Sequence, residues 1–490
     1  MVEHVDVVVV GAGISGIGTG YHLQTRCPDR SYVILEARTA MGGTWDLFRY
    51  PGIRSDSDMH TLGFSFHPWT AAKAIADGPS IRAYVEETAQ SYGIDGHIRF
   101  GTTVLSASWS TPDACWTVET VGPDGSKQYT CTFLSMCSGY YSYDKGYTPD
   151  FPGAADFAGQ IVHPQFWPEG LDYTGKRVVV IGSGATAVTL VPEMAKDAAQ
   201  VTMLQRSPTY VVSRPAEDAF ANRMRRLLPA KAAYGVTRWK NVLLGMFFYK
   251  MVRKRPEQTK ERLLGMVRDH LGPDYDIATH FTPRYNPWDQ RLCLVPDADL
   301  FQAIKAGRAE VVTDTIDRFV PEGIRLTSGQ VLPADVIVTA TGLELSLMGG
   351  IPMMVDGKPM NPASKIQYKG MMFSDVPNMA FTFGYTNASW TLKADLVAKY
   401  VCRLLNTMKK RGVSIATPHN DDPTLQEEAF VNFSSGYIQR AADHLPKQGS
   451  RKPWKLNQNY ALDVMALKFG SMDDAMVFSD PPSGASRKAA

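Results

Sequence analysis

Apolar residues along the chain gather into short runs of strand length, and two of these runs open the same pattern. Residues 5–10 (VDVVVV) form the first, and Gly11, Gly13 and Gly16 follow it before a helix-like stretch at 17–24. A further apolar run at 32–35 ends on Glu36. The order strand, glycine turn, helix, strand predicts a dinucleotide-binding unit. It recurs later as an apolar strand at 177–181, the turn Gly182, Gly184 and Ala187, a helix-like run at 188–195 and a strand at 201–205 ending on Arg206 and Ser207. A β-branched run at 334–339 precedes Ala340, Thr341 and Gly342. The fold class that follows is α/β, with two dinucleotide-binding, Rossmann-like domains. Residues 214–282 fit neither unit; rich in Lys, Arg, Leu and Met, they read as a helical insertion. The tail at 470–490, with Ser, Pro and Asp and then Arg and Lys, is expected to be poorly ordered.

Each turn has the residues a pyrophosphate needs. Gly11 permits the tight bend, Gly13 lets the backbone approach the phosphates, and Gly16 lets the helix pack closely. The helix N-terminus beyond Ser15 attracts the negative charge. Glu36 stands at about the expected twenty residues past the last glycine, where a carboxylate accepts from ribose hydroxyls. In the second unit Gly182, Ser183, Gly184, Ala185, Thr186 and Ala187 form the corresponding turn, and Arg206 with Ser207 replaces the acid. An arginine there suits a ribose carrying a 2′-phosphate, and the missing acid disfavours NAD. NADPH is therefore expected at the second unit, the alternative for Arg206 being a solvated charge at a strand end.

Composition removes other classes of function. With 490 residues and 44% hydrophobic content, the chain can build large cores in about two or three domains. Lys+Arg 51 against Asp+Glu 49 leaves a formal charge of +2, so no nucleic-acid partner is expected. The acidic start at 1–6 lacks the basic opening of a secretory signal, and a cytoplasmic protein is expected. The 6 cysteines form no CxxC or CxxxxC pair and no cluster with zinc spacing, so neither a metal nor a redox-active pair is expected. Arg238, Lys240, Lys250, Arg253, Lys254 and Arg255 flank an apolar run at 242–249, shorter than the roughly 20 residues that span a bilayer. Two readings of 238–255 stay open: a helical cap with a solvated basic face, or peripheral contact with an anionic membrane.

Between the two turns stand Phe157, Gly159, His163, Trp167 and Pro168, spaced FxGxxxHxxxWP. Together with Gly42, Gly43, Thr44 and Trp45, the run YPGIRSD at 50–56 and the ATG at 340–342, this resembles the type I Baeyer-Villiger monooxygenases over nearly the whole chain to about 406. The resemblance implies FAD at the first unit, with Gly42, Gly43, Thr44 and Trp45 on the flavin side, and Asp46, Arg54, Ser55, Asp56, Val104 and Trp390 as further cofactor contacts. It implies an FAD domain split into 1–140 and 340–469, a linker at 141–175 with the FxGxxxHxxxWP signature, and an NADPH domain at 176–213 and 283–339 with the insertion inside it. Asp56 and Arg291 would be the catalytic pair, and Gln290 departs from the lysine that relatives place before that arginine.

The activity so implied is NADPH- and O2-dependent insertion of one oxygen atom into an apolar ketone, through a C4a-peroxyflavin, giving an ester or lactone. Oxidation of sulfur in thioethers or thioamides would accompany it. His163 and Trp167 would couple cofactor binding to domain movement and stay outside the chemical step. The alternatives are a flavin-containing heteroatom hydroxylase, an NADPH oxidase that only releases peroxide, and a redox sensor without turnover. The paired Asp56 and Arg291 speak against the first two, and two intact turns speak against the third.

Overall fold

The computed structural model describes residues 2–290, 292–431 and 435–482. Its two main sheets each centre on one of the glycine-turn strands. Val2–Val10 lies between Tyr32–Leu35 and Gly125–Met136, parallel to both. Side chains alternate across a strand, so the run 7–10 faces two cores. Val7 and Val9 pack towards the helices Ile14–Arg26 and Trp390–Arg411, while Val8 and Val10 meet Trp109, Trp116 and Phe373 on the opposite face. An antiparallel meander of Thr103–Ser110, Cys115–Gly122 and Gly125–Met136 widens this sheet. Three strands from beyond residue 340 return to it: Met353–Val355 pairs with Thr103–Ser110 and carries Lys358–Pro359 at its edge, and Met379–Phe381 pairs with Gly125–Met136. The first unit is thus assembled from two separated stretches of chain.

The second sheet is wholly parallel, in the order Ala309–Thr313, Gln200–Gln205, Arg177–Ile181, Val336–Thr339, Gln160–Val162. Its edge strand lies inside the segment read above as a linker, so 141–175 is more than a connection. Phe157 is buried against Phe319 and Ile337. Gly159 is required because a Cβ there would stand 2.4 Å from Asp335 O. His163 closes on Gly146, and Trp167 packs against the second unit's core. The two crossings between the units lie side by side, Tyr141–Gly146 pairing antiparallel with Leu343–Leu345.

The insertion contains the helices Ala219–Leu227, Ala230–Lys254, Pro256–Leu271 and Ile277–His280. Its basic residues do not form one solvated face. Arg238 is buried and donates to His60 O at 2.8 Å and Gly63 O at 2.7 Å, capping the helix Met59–Leu62 with a cation at its negative end. Lys240 pairs with Asp218 and Arg253 with Asp289. The outer side of Ala230–Lys254 instead exposes Trp239, Leu243, Leu244 and Phe247. Among the described residues no helix is long and apolar enough to cross a membrane.

The expectation of a loose tail from 470 needs correction. Met472 and Met476 are buried, and Met476–Ser479 pairs antiparallel with Ile415–Pro418. Three apolar residues, Met472, Met476 and Phe478, pack on the first core despite the polar composition around them. Residues 483–490 lie outside the described residues.

Candidate cofactor site

Both glycine turns open onto one cavity of about 1190 Å³. In the first turn Gly11 adopts φ +102°, and a Cβ on it would stand 2.7 Å from Cys137 O. Gly16 lies behind the cavity wall, where a Cβ would fall 1.8 Å from Gly11 O. The helix Ile14–Arg26 begins on Gly13 with no side-chain cap, which leaves first-turn N–H groups for a ligand beside the cavity. The second turn repeats this arrangement. Gly182 has φ +136°, a Cβ there would stand 2.3 Å from Ala340 O, and the uncapped helix Ala185–Met194 begins on Gly184. Ser183, Ala185 and Thr186 face the cavity, whereas Ala187 is buried against the sheet. Two such cradles fit the two pyrophosphates that the resemblance implies.

The strand-end residues differ as expected. Glu36 is buried at the cavity edge, accepting from Ala12 N at 2.7 Å and Arg38 N at 2.9 Å. Burial pushes its carboxyl up, and the two backbone donors oppose that rise. Arg206 and Ser207 line the other half of the cavity, and Arg206 makes no hydrogen bond or ion pair among the described residues.

Gly43, Thr44, Trp45 and Val104 also line the cavity. Trp390 joins them from the start of the helix Trp390–Arg411, donating to Ser15 Oγ at 2.8 Å and stacking on Tyr140 at 4.9 Å. Asp46 is not part of this wall. It is buried behind it with Arg38, Arg49 and Arg82 around it at 2.6 to 3.1 Å. Burial raises the Asp46 carboxyl, but the three guanidiniums outweigh it and hold the group below the usual carboxylate range.

Arg54, Ser55 and Asp56 also border the cavity. Ser55 is fixed by its backbone N–H to Ala76 O at 3.0 Å and by its hydroxyl, which accepts from Ser57 N at 2.9 Å. Arg54 turns to Asp299, at 2.5 Å. Sequence reasoning missed Asp299, a first-turn acid of a helix with no motif around it. It also missed Tyr140, Tyr141 and Tyr385, which give the cavity aromatic walls. Arg291 lies outside the described residues; the strand Cys293–Pro296 begins two positions beyond it. Among the described residues no group of three His, Cys, Asp or Glu gathers as metal ligands.

The chain is 56% identical to the FAD-containing monooxygenase EthA of Mycobacterium tuberculosis over 475 residues, 97% of each chain. It belongs to the FAD-containing monooxygenases. Within this family it is also 49% identical, over 98% of its length and 97% of the relative's, to the probable FAD-binding monooxygenase AlmA of Acinetobacter baylyi. Family models match as flavin-binding monooxygenase-like at 71–244 and NAD(P)-binding Rossmann-like domain at 9–78. The fold of this FAD-containing monooxygenase matches an oxidized steroid monooxygenase bound to NADP, with TM-score 0.78 and 22% identity over 97% of this chain and 100% of the other. An open cyclohexanone monooxygenase matches with TM-score 0.73 and 21% identity over 98% and 100%. The resemblance thus holds in sequence as membership of the FAD-containing monooxygenases, and the fold is that of the two solved monooxygenases.

Proposed function

We propose that the chain binds FAD at the first unit and NADPH at the second, and inserts one oxygen atom of O2 into apolar ketones to give esters or lactones. The observation that carries this reading is the single cavity joining both phosphate cradles. Only a shared space lets two dinucleotides exchange a hydride and then act on one substrate. The residues around the first cradle would hold FAD, which would supply hydride acceptance and O2 activation at this site.

The chain's own residues do the rest. Backbone N–H groups at 13–15 and 184–186 hold the pyrophosphates, Glu36 accepts from ribose hydroxyls, and Arg206 holds the 2′-phosphate. Trp390, Tyr140 and Tyr385 exclude water and favour an apolar substrate. Arg291 supplies a permanent positive charge to oxygen that becomes anionic during insertion, and Asp56 orients it. The same oxygen donor reaches soft sulfur, so thioethers and thioamides belong to the proposed substrates.

The exposed apolar side of Ala230–Lys254, with Lys250 and Lys254 beside Leu243 and Phe247, supports the second reading of this segment, peripheral contact with an anionic bilayer.

The test of the proposed chemistry is stoichiometry: NADPH consumed, ester formed and peroxide released, measured together over a panel of ketones. Ester matching NADPH is expected. Peroxide matching NADPH with every ketone and sulfide would make the protein an oxidase.

A further inference from the structure

Residues 47–54 belong to the first unit by sequence and to the second by packing. Leu47, Phe48 and Tyr50 are buried in one cluster with Val178, Val180 and Leu190. The Tyr50 hydroxyl engages Thr186. Gly52, at φ +74°, lies so near the helix Ala185–Met194 that a Cβ there would stand 2.9 Å from Glu193 Cβ and 3.1 Å from Thr189 O. On both sides the chain is tied back to the first unit. Before the segment, Arg38 and Arg82 hold Asp46. At its end and just beyond it, Gly78 N donates to Ile53 O at 2.8 Å and Ser55 N to Ala76 O at 3.0 Å.

Arg54 is where the two attachments meet. Its backbone bridges to Asp77 of the first unit, while its guanidinium reaches both carboxylate oxygens of Asp299 in the second, at 2.5 and 3.4 Å. Asp299 opens the helix Asp299–Lys305 and does not border the cavity. Burial raises its carboxyl and Arg54 opposes the rise. The two side chains are 13% and 30% exposed, so the pair is shielded better than a surface ion pair but stays separable. Apart from the Tyr50 hydroxyl on Thr186, the contacts of 47–52 with the second unit described above are apolar or steric, and Arg54 with Asp299 adds a charged, directional link across the boundary.

We propose that Arg54 and Asp299 are positioning residues: their ion pair keeps the segment 50–56, and with it Asp56, in register with the second unit, and Arg54 does not itself hold the cofactor. What Asp56 does once positioned rests on the function proposed above; the mechanical role of the pair does not.

Hydrogen exchange followed by mass spectrometry on the FAD-loaded protein tests this, together with NADP titration. Asp299→Asn and Arg54→Ala should each speed exchange in peptides covering 47–56 by about tenfold, and the double variant should add nothing further. NADP affinity should change by the same factor in both single variants. The reversed pair, Arg54→Asp with Asp299→Arg, should restore part of the protection. Unchanged exchange in Asp299→Asn would overturn the proposal. So would an Arg54→Ala variant that loses NADP affinity more than tenfold while Asp299→Asn keeps it, because Arg54 would then be a ligand. If Arg54→Ala fails to load FAD, Asp299→Asn decides alone, because Asp299 does not line the cavity. A parent protein that makes no ester would refute the proposed function and leave the exchange result standing.

Discussion

Replacing Arg206 with alanine separates a phosphate-binding arginine from a solvated one. Arg206 lines the cavity beside Ser207 and makes no hydrogen bond or ion pair with another described residue, so its removal breaks no polar link within them. Folding stability should stay within about 0.5 kcal/mol of the parent, as for a surface substitution. A charge-assisted hydrogen bond to phosphate is worth about 1.5 to 3 kcal/mol, and the open setting of Arg206 places it at the lower end. About 1.5 to 2 kcal/mol corresponds to a roughly tenfold to thirtyfold rise in the NADPH Michaelis constant. NADH lacks the 2′-phosphate, so its constant should change less than about twofold. Steady-state kinetics with both coenzymes, at fixed ionic strength, gives the ratio directly. Equal changes for NADPH and NADH would refute the assignment and leave Arg206 as a strand-end charge.

Gly11→Ala should fail to retain FAD and lose about 2 to 4 kcal/mol of stability in thermal unfolding, because φ +102° and the approach to Cys137 O leave no room for a methyl group. Asp46 predicts the direction of the acid limb of stability. Its carboxyl is depressed in the folded protein, so the stabilisation is complete above the unfolded value near about pH 4 and lost as pH falls through the lower native value. Asp46→Asn should therefore flatten the fall of unfolding free energy below about pH 4; an unchanged slope would show that the three arginines contribute nothing. Flotation with anionic vesicles at low salt should carry the protein upwards, and Leu243→Ser with Phe247→Ser should abolish this. No flotation of the parent would remove membrane contact.

The parts of the molecule legible in the sequence are those whose physics is local. A strand, a turn that needs positive φ and an uncapped helix occupy about twenty consecutive positions, so Gly11 to Glu36 and Gly182 to Arg206 announce themselves. Gln160–Val162 was missed as a strand because three residues carry no period, and its pairing depends on Val336–Val338, far away in the chain. Met476–Ser479 was missed because composition pointed to disorder while three apolar side chains found a core. Asp46 has a local signal, but whether it meets a cofactor or three arginines depends on residues from the turn before it and the helix after it. Arg54 shows the same limit: its partner Asp299 is 245 positions away.

The central claim is that one cavity joins NADPH, FAD and O2 to an apolar substrate. Turnover under ¹⁸O2 with NADPH and a ketone, read by mass spectrometry of the product, tests it most directly. One ¹⁸O atom per ester is expected from the parent, and Arg291→Ala should still reduce FAD with NADPH yet give no labelled ester. NADPH oxidation with no label in any product, or label inserted by Arg291→Ala at the parent rate, would contradict the account.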